Sequence, residues 1–433
     1  MKPAPRKAVT TVTRNGVGGR ALAADAPDKN PQHVNRGGHR EGYRRDRSLR
    51  VLIIVTAAYF PPFLDEVVEL NRQGKAPRPW TEDLPFALSY LDQRFLARAP
   101  WWRRWAYRFL PVWAAQICEA YVVSGRYDVV FSWGAEKVAL PLALLFKLTR
   151  RRVPFVALFG WISKRRQGTL LRLAHSSIDS IILPPSAQRR HAVRRLGVPA
   201  EKLIDLPYCV DTDFWCGDGA AGDAAAGELI CSAGREMRDY ETLIQALART
   251  GIRCHIAGAI VPGKPDRWRR TVGEFGGAAS LPANVTVGPK SPVELRDLYR
   301  RSRFVVLPLR ESDTDNGITC MLEAWGMGKA VICSAVAGQR DALVPGKTGL
   351  FVPVGDVQAL RDAILDLWSS PADAHRMGRE ARDYVVHERP LSRFSDGVAR
   401  LIRAAAREPG KLVPSRSEHL TETALRNETK LRR

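Results

Sequence analysis

Two arginines, two carboxylates and one run of backbone amides carry most of the chemistry this sequence offers. Arg235 and Arg238 follow Gly234 at the end of the apolar run Leu229 to Gly234. Two guanidinium groups at a strand end suit a diphosphate, which each can meet with a bidentate fork. The carboxylates lie further on, in the stretch Phe304 to Asp356, FVVLPLRESDTDNGITCMLEAWGMGKAVICSAVAGQRDALVPGKTGLFVPVGD. Phe304 to Leu307, closed by Pro308, reads as a buried parallel strand. A polar loop with Asp313, Asp315, Asn316 and Gly317 follows, and a helix begins near Ile318. Asp315 or Asn316 is placed to cap it, which leaves unpaired amides facing the loop. Glu323 lies on that helix, which ends at Gly326 and Gly328, and Ala330 to Cys333 forms the next buried strand. Strand, loop, helix and strand make a right-handed βαβ unit with its ligand site at the strand carboxyl ends. An anion placed there meets a helix N-terminus.

The elements that must hold these residues alternate along the chain. Leu49 to Thr56 is a first buried strand, and Tyr127 to Ser132 and Val153 to Phe159 follow it, with a helix from Val138 to Leu148 between. Ile178 to Leu183 is another strand. The second series comprises Leu229 to Gly234, the helix Asp239 to Leu247, Cys254 to Ala257, Val285 to Gly288, the helix Pro292 to Arg301 and the stretch already described. Residues 217–227, GDGAAGDAAAG, read as a flexible linker by composition. The division is therefore a basic disordered tail at 1–48, a first α/β domain at 49–216, the linker, a second α/β domain at 228–390, a helix at 391–407 and a polar tail at 408–433.

Phe304 to Asp356 resembles the donor half of retaining nucleotide-sugar glycosyltransferases of the GT-B fold, family 4 in particular. That family carries two acids separated by seven residues, an Ala-small-Gly helix end, a strand, and a TGLLVPPGD-like segment. Asp315 and Glu323 have that spacing, and Thr348 to Asp356 read TGLFVPVGD. The family's first acid is usually Glu with a Gly three residues on; here it is Asp with Gly317 two residues on, and Glu311 is an alternative first acid. The segment LGVPAEKLIDLPYCVDTDF is similar to the family's last first-domain strand and GVDxxxF linker, with Cys209 where Gly is usual. A His commonly precedes the glycine after the third strand, but Phe159 stands there. The Gly-rich loop that often follows the first strand is replaced by Ala57 to Pro62.

The resemblance implies two Rossmann-like domains facing a central cleft, the last helix crossing back to the first domain. It implies transfer of a sugar from a nucleoside-diphosphate sugar with retention of configuration. Arg235 and Arg238, at the family's Arg and Lys positions, would stabilise the leaving diphosphate. Gly234 and the amides of Asn316, Gly317, Ile318 and Thr319 would contact the donor, Asp315 its sugar hydroxyls, and Glu323 its ribose diol. A degenerate protein that binds a nucleotide sugar or glycan without transferring it is the alternative.

Charge and composition bear on partners. The chain has 433 residues and a net charge of +22. Residues 94–195 hold 19 Lys/Arg against 4 Asp/Glu, and residues 1–50 hold 12 against 4, so the remainder is near neutral. Pro100 to Ser124, PWWRRWAYRFLPVWAAQICEAYVVS, sets Trp101, Trp105, Phe109 and Trp113 at every fourth residue, flanked by Arg104 and Arg108, with Pro111 expected to kink the helix. Such a helix either lies in a membrane interface or packs as an ordinary core helix. Arg150-Arg151-Arg152 and Lys164-Arg165-Arg166 bracket a strand, so they should lie near opposite sheet ends. The basic first half favours an anionic partner, and a membrane surface with a lipid-linked or glycan acceptor fits both features. No nucleic-acid recognition motif is present. No run of about 18 uncharged apolar residues marks a membrane span, and the start lacks an apolar secretory core. Seven scattered cysteines suggest a reducing compartment. The expected location is cytoplasmic, peripheral on the inner face of the membrane, in cell-surface polysaccharide or glycolipid synthesis. Asp211-Thr212-Asp213 and Asp313-Thr314-Asp315 spell Asp-x-Asp, a pattern able to hold Mg²⁺ on a diphosphate. With arginines and a helix N-terminus supplying positive charge, neither a metal nor another cofactor is expected.

Overall fold

Short runs of Val, Ile, Leu and Phe form the central strands, which feed two apolar layers. In β1 (Arg50–Val55), Val51, Ile53 and Val55 enter one layer, and Leu52 and Ile54 the other. Burial on both faces is what a parallel sheet flanked by helices requires. The computed structural model describes residues 49–55, 64–217, 227–258 and 281–407. The two polar tails, the turn at 57–62 and the middle of the linker lie outside the described residues.

The first sheet adds β2 (Ala87–Leu91), β3 (Val129–Trp133), β4 (Phe155–Leu158), β5 (Ser180–Ile182) and β6 (Leu203–Ile204) in the order β2-β1-β3-β4-β5-β6. All of its pairs are parallel. Its helices are α1 (Leu64–Arg72), α2 (Gln93–Ala97), α3 (Trp101–Tyr107), α4 (Val112–Val123), α5 (Glu136–Leu148), α6 (Arg165–Ala174) and α7 (Ser186–Leu196). Several of these elements, β2, β6, α1, α2 and α6 among them, have no counterpart in the sequence reading. β2 is an edge strand whose residues are mostly half-buried, so ALSYL lacks the dense apolar run of the central strands. The aromatic helix expected from Pro100 to Ser124 is not continuous. It breaks into α3 and α4, with Pro111 capping the second at φ −63°.

The second sheet runs β12-β11-β10-β7-β8-β9 and is also parallel throughout. Its strands are β7 (Leu229–Ala233), β8 (Cys254–Ala257), β9 (Val285–Val287), β10 (Ser302–Leu307), β11 (Val331–Ser334) and β12 (Gly349–Val352). The helices are α8 (Tyr240–Leu247), α9 (Pro292–Arg301), α10 (Ile318–Gly326), α11 (Val357–Ser369), α12 (Pro371–Glu388) and α13 (Leu391–Arg407). α9 starts with a full capping box between Ser291 and Glu294 and Pro292 in its first turn, which fixes its start.

Two seams join the halves. α13 leaves the second half and packs on the first sheet, where Phe394, Val398, Leu401 and Ile402 share a layer with Val51, Ile53 and Phe131. Ser395 donates from its hydroxyl to the Trp80 carbonyl at 2.7 Å. The second seam lies at the strand carboxyl ends. There Thr314 donates to the Gly160 carbonyl at 2.8 Å, Ser163 to the Asp313 carboxylate at 3.0 Å, and Gln188 to the Asp313 carbonyl at 3.0 Å. The cleft between the sheets is thus walled at the loop that carries Asp315.

Candidate active site

Two glycines and one arginine form the centre of the site. β7 ends at Gly234 with φ +98°, and α10 begins at Gly317, also with φ +98°. Only glycine adopts that backbone readily. Between them lies the buried guanidinium of Arg238. A Cβ on Gly234 would stand 2.7 Å from Arg238 Cζ, and one on Gly317 would stand 3.2 Å from its Nη1. Torsion calls for glycine at both positions, and at Gly234 the lack of space does so as well. Arg238 donates to the Ala233 carbonyl at 2.8 Å, to the Glu236 carbonyl at 2.9 Å and to Cys320 Sγ at 3.4 Å. This fixed cation sits beneath the start of α10 and adds its charge to the helix N-terminus. Arg235, on the same loop, is exposed. The loop is sewn to the segment after β10, because Asp239 donates its amide to the Pro308 carbonyl and Arg310 to that of Met237, each at 2.9 Å.

The helix start differs from the sequence reading in one respect. Neither Asp315 nor Asn316 caps α10 with its side chain; Gly317 is the N-cap residue and makes no such bond. The Ile318 amide donates instead to the Asp315 carbonyl at 3.0 Å, so it is not available to a ligand. The amides of Asn316, Gly317 and Thr319 have no partner among the described residues, and Thr319 is exposed. Two residues that sequence reasoning missed hold this loop in place. Gln339, fully buried, donates to the Asn316 carbonyl at 2.9 Å, and Gly338 donates its amide to the Ser312 carbonyl at 3.3 Å. A side chain at Gly338 would collide with the Thr314 backbone. Both lie in the small-residue turn after β11, whose role only the tertiary structure discloses.

The carboxylates occupy different places. Asp315 is half-buried, and burial pushes its carboxyl up to about 7 against the opposing pull of its own amide and the Thr314 hydroxyl. Glu311 is exposed on the loop. Glu323 lies on α10, where burial raises it to about 7 despite the Tyr299 hydroxyl, which donates to it at 3.2 Å, and the charge of Arg238. The TGLFVPVGD segment supports this helix from outside, since Trp325 Nε1 donates to the Thr348 carbonyl at 3.0 Å.

The facing wall contributes a third acid that the sequence reading did not single out. Glu136 opens α5 directly after the turn at Trp133-Gly134, and its carboxylate accepts the amides of Gly160 at 2.7 Å and Trp161 at 3.3 Å. Burial pushes it above the usual carboxylate range. Gly160 links the two acids, since its amide donates to Glu136 at 2.7 Å and its carbonyl accepts from Thr314, next to Asp315, at 2.8 Å. Beside them Trp80 stacks on Trp133 with ring centroids 4.1 Å apart. Phe159 is fully buried in the first-sheet core and offers no polar group to the cleft.

The Asp-x-Asp pairs do other work. Asp211 is buried and accepts the amides of Arg78 at 2.7 Å and Asp213 at 3.2 Å. Asp313 accepts the Ser163 hydroxyl across the seam. Among the described residues, no group of three or more His, Cys, Asp or Glu is arranged to hold a metal ion. All seven cysteines are free.

Two Rossmann-like halves, a cleft at their strand ends, and a cation under a glycine-started helix define a GT-B glycosyltransferase. Comparison with known proteins agrees. Residues 228–384 match the family described as "Glycosyl transferases group 1". It is 28% identical over 293 residues to the GDP-mannose-dependent alpha-(1-6)-phosphatidylinositol monomannoside mannosyltransferase of Mycolicibacterium smegmatis, covering 60% of this chain and 73% of that protein. It is 27% identical to the D-inositol 3-phosphate glycosyltransferase of Frankia alni, covering 63% and 76%. In fold it is similar to sucrose-phosphate synthase from Thermosynechococcus elongatus, with a TM-score of 0.63 at 15% identity over 82% of this chain and 98% of that one. Anabaena HepE in complex with UDP-glucose aligns with a TM-score of 0.60 at 15% identity, over 82% and 100%.

Proposed function

We propose that the chain is a retaining enzyme of family 4, moving a sugar from a nucleoside-diphosphate sugar to a lipid-linked or glycan acceptor. The observation that carries this reading is the cluster of positive charge between Gly234 and Gly317. Arg238 is fixed there, Arg235 is exposed on the same loop, and the amides of Asn316, Gly317 and Thr319 have no partner among the described residues. A departing diphosphate gains negative charge as the bond from the anomeric carbon to its oxygen breaks. Donors already aimed at that position stabilise the transition state without reorganising. The acceptor oxygen bonds to the anomeric carbon on the same face, and its proton leaves with the phosphate. Asp315 holds sugar hydroxyls, Glu323 the ribose diol, and Glu136 with the Trp133 face the acceptor. Positive charge from protein groups makes a metal unnecessary, so a chelator should leave the rate unchanged.

The acceptor reading rests on the first domain. Trp101, Trp105, Phe109 and Trp113 are 75, 59, 74 and 48% exposed, so they are not core residues in this structure. Aromatic side chains beside arginines suit the interface of an anionic leaflet. No helix among the described residues is long and apolar enough to cross a membrane, so attachment would be peripheral. Two of the relatives named above bear names with inositol-based acceptors, which fits a phosphorylated polyol or lipid acceptor in glycolipid or cell-surface polysaccharide synthesis. The test is a panel of nucleotide sugars offered with lipid extract, followed by NMR of the new linkage. Retained anomeric configuration supports the reading, and inversion overturns it. Donor binding without transfer to any acceptor supports the degenerate alternative.

A further inference from the structure

A cavity of about 1220 Å³ lies at the open edge of the first sheet, along β2 and under α2 and α3. It is separate from the cleft residues described above. Five arginines line it, Arg72, Arg94, Arg98, Arg103 and Arg126, against the carboxylates Glu82, Asp92 and Glu119. Two of those acids are committed. Asp92 caps α2 by accepting the Phe95 amide at 2.8 Å, and Glu119 accepts the Tyr107 hydroxyl at 2.7 Å beside Arg103. Arg72 and Arg94 are paired with Glu69 and Glu66 on α1. Arg98 and Arg126 are exposed and have no ion-pair partner among the described residues. Deeper in, the Arg103 side chain is only 8% exposed, and its Nε is ion-paired with Glu119 Oε2 at 3.4 Å.

The cavity borders α3, the helix that carries exposed tryptophans. Pro100 belongs to its wall and opens α3, on which Trp101, Trp102 and Trp105 stand out from the surface. Arg103 Cζ lies 5.5 Å from the Trp102 ring centre, so the cation at the cavity wall and the aromatic at its rim are neighbours. A ligand that fits both needs an anionic, hydrogen-bond-accepting head and an apolar body leaving past the tryptophans. Arginine forks recognise phosphate, and indole rings settle at the boundary between headgroups and acyl chains.

We propose that this cavity binds the phosphate-bearing headgroup of an acidic membrane phospholipid, holding the first domain on the bilayer at a site apart from the catalytic cleft. The proposal rests on the membrane part of the reading above and is independent of the sugar-transfer step. The experiment is flotation of the full chain, without donor, on vesicles of phosphatidylcholine alone and with added phosphatidylglycerol. The comparison is between wild type, Arg98→Glu with Arg126→Glu, Trp102→Ala with Trp105→Ala, and a control with the same charge change on α6, Arg166→Glu with Arg172→Glu. Thermal melts and donor turnover on a soluble acceptor check that each variant is folded.

Wild type should float with the acidic vesicles, and the Arg98/Arg126 variant should bind at least tenfold more weakly while the α6 control loses much less. Glycerol phosphate should raise the melting temperature of wild type but not of the Arg98/Arg126 variant. Equal losses in that variant and the control overturn the headgroup site, leaving only diffuse attraction. Flotation unchanged in the Arg98/Arg126 variant but lost in the tryptophan variant also overturns it, and leaves the aromatic surface standing. Wild type that ignores acidic vesicles yet is stabilised by phosphate marks a site for free phosphate and overturns the lipid source. Wild type that ignores both overturns the proposal and the membrane reading together, with the transfer reaction untouched.

Discussion

At the scale of residues, the site combines a fixed cation with carboxylates that burial holds near neutrality. Asp315 and Glu323 are both pushed up to about 7 by burial. A carboxyl raised on folding contributes stability that is present in acid and is lost as pH rises through the folded value. The ligand-free protein should therefore lose stability between about pH 4 and about pH 7 through these two groups. Asp315→Asn with Glu323→Gln should flatten that part of the melting-temperature profile; an unchanged slope contradicts the burial account. Donor binding should show the opposite trend, since ionised carboxylates accept sugar and ribose hydroxyls better. Calorimetry should find donor affinity rising from about pH 6 to about pH 8, and the Glu323→Gln variant should lose most of that rise. Gly234→Ala makes a sharper steric test. It forces an L-residue to φ +98° and drives a methyl group against Arg238. Turnover should fall about a hundredfold or more, because a misplacement of about 1 Å in the charge cluster has that effect. Turnover within about twofold of wild type would show that the guanidinium is not where it acts.

At the scale of elements, sequence legibility followed burial. Central strands such as β10 and β11, buried on both faces, were readable as unbroken apolar runs, and the βαβ order followed from them. β2 was not readable, because an edge strand lacks half of that pressure. The aromatic spacing at 101–113 was visible, but not whether it faced core or solvent, since periodicity carries no information on what covers a face. In the site, Gly234, Gly317 and the arginines stood out by motif, whereas Glu136 and Gln339 did not. Their importance comes from residues more than twenty positions away in sequence. α13 gives a stability test at this scale. Phe394 is 1% exposed and meets Trp80, Trp133 and Tyr208. Phe394→Ala should cost about 3–5 kcal/mol in urea unfolding. A cost below about 1 kcal/mol would mean that α13 is not part of the first-sheet core.

At the scale of the whole molecule, the fold places two different surfaces on one chain. The second half presents the Arg235 and Arg238 cluster beside Gly317, and the first half presents a basic face with exposed tryptophans. Thr314, Ser163 and Gln188 join the two halves at the loop that carries Asp315. Arg235 is the residue whose loss separates chemistry from folding most cleanly, because it is exposed and supports no packing. The decisive measurement is acceptor-dependent release of nucleoside diphosphate from the preferred sugar donor by wild type and by Arg235→Ala. Loss of one charged donor aimed at the leaving group should reduce turnover by about 10²–10³ or more with an unchanged melting temperature. Wild-type turnover in Arg235→Ala would contradict the account of the site.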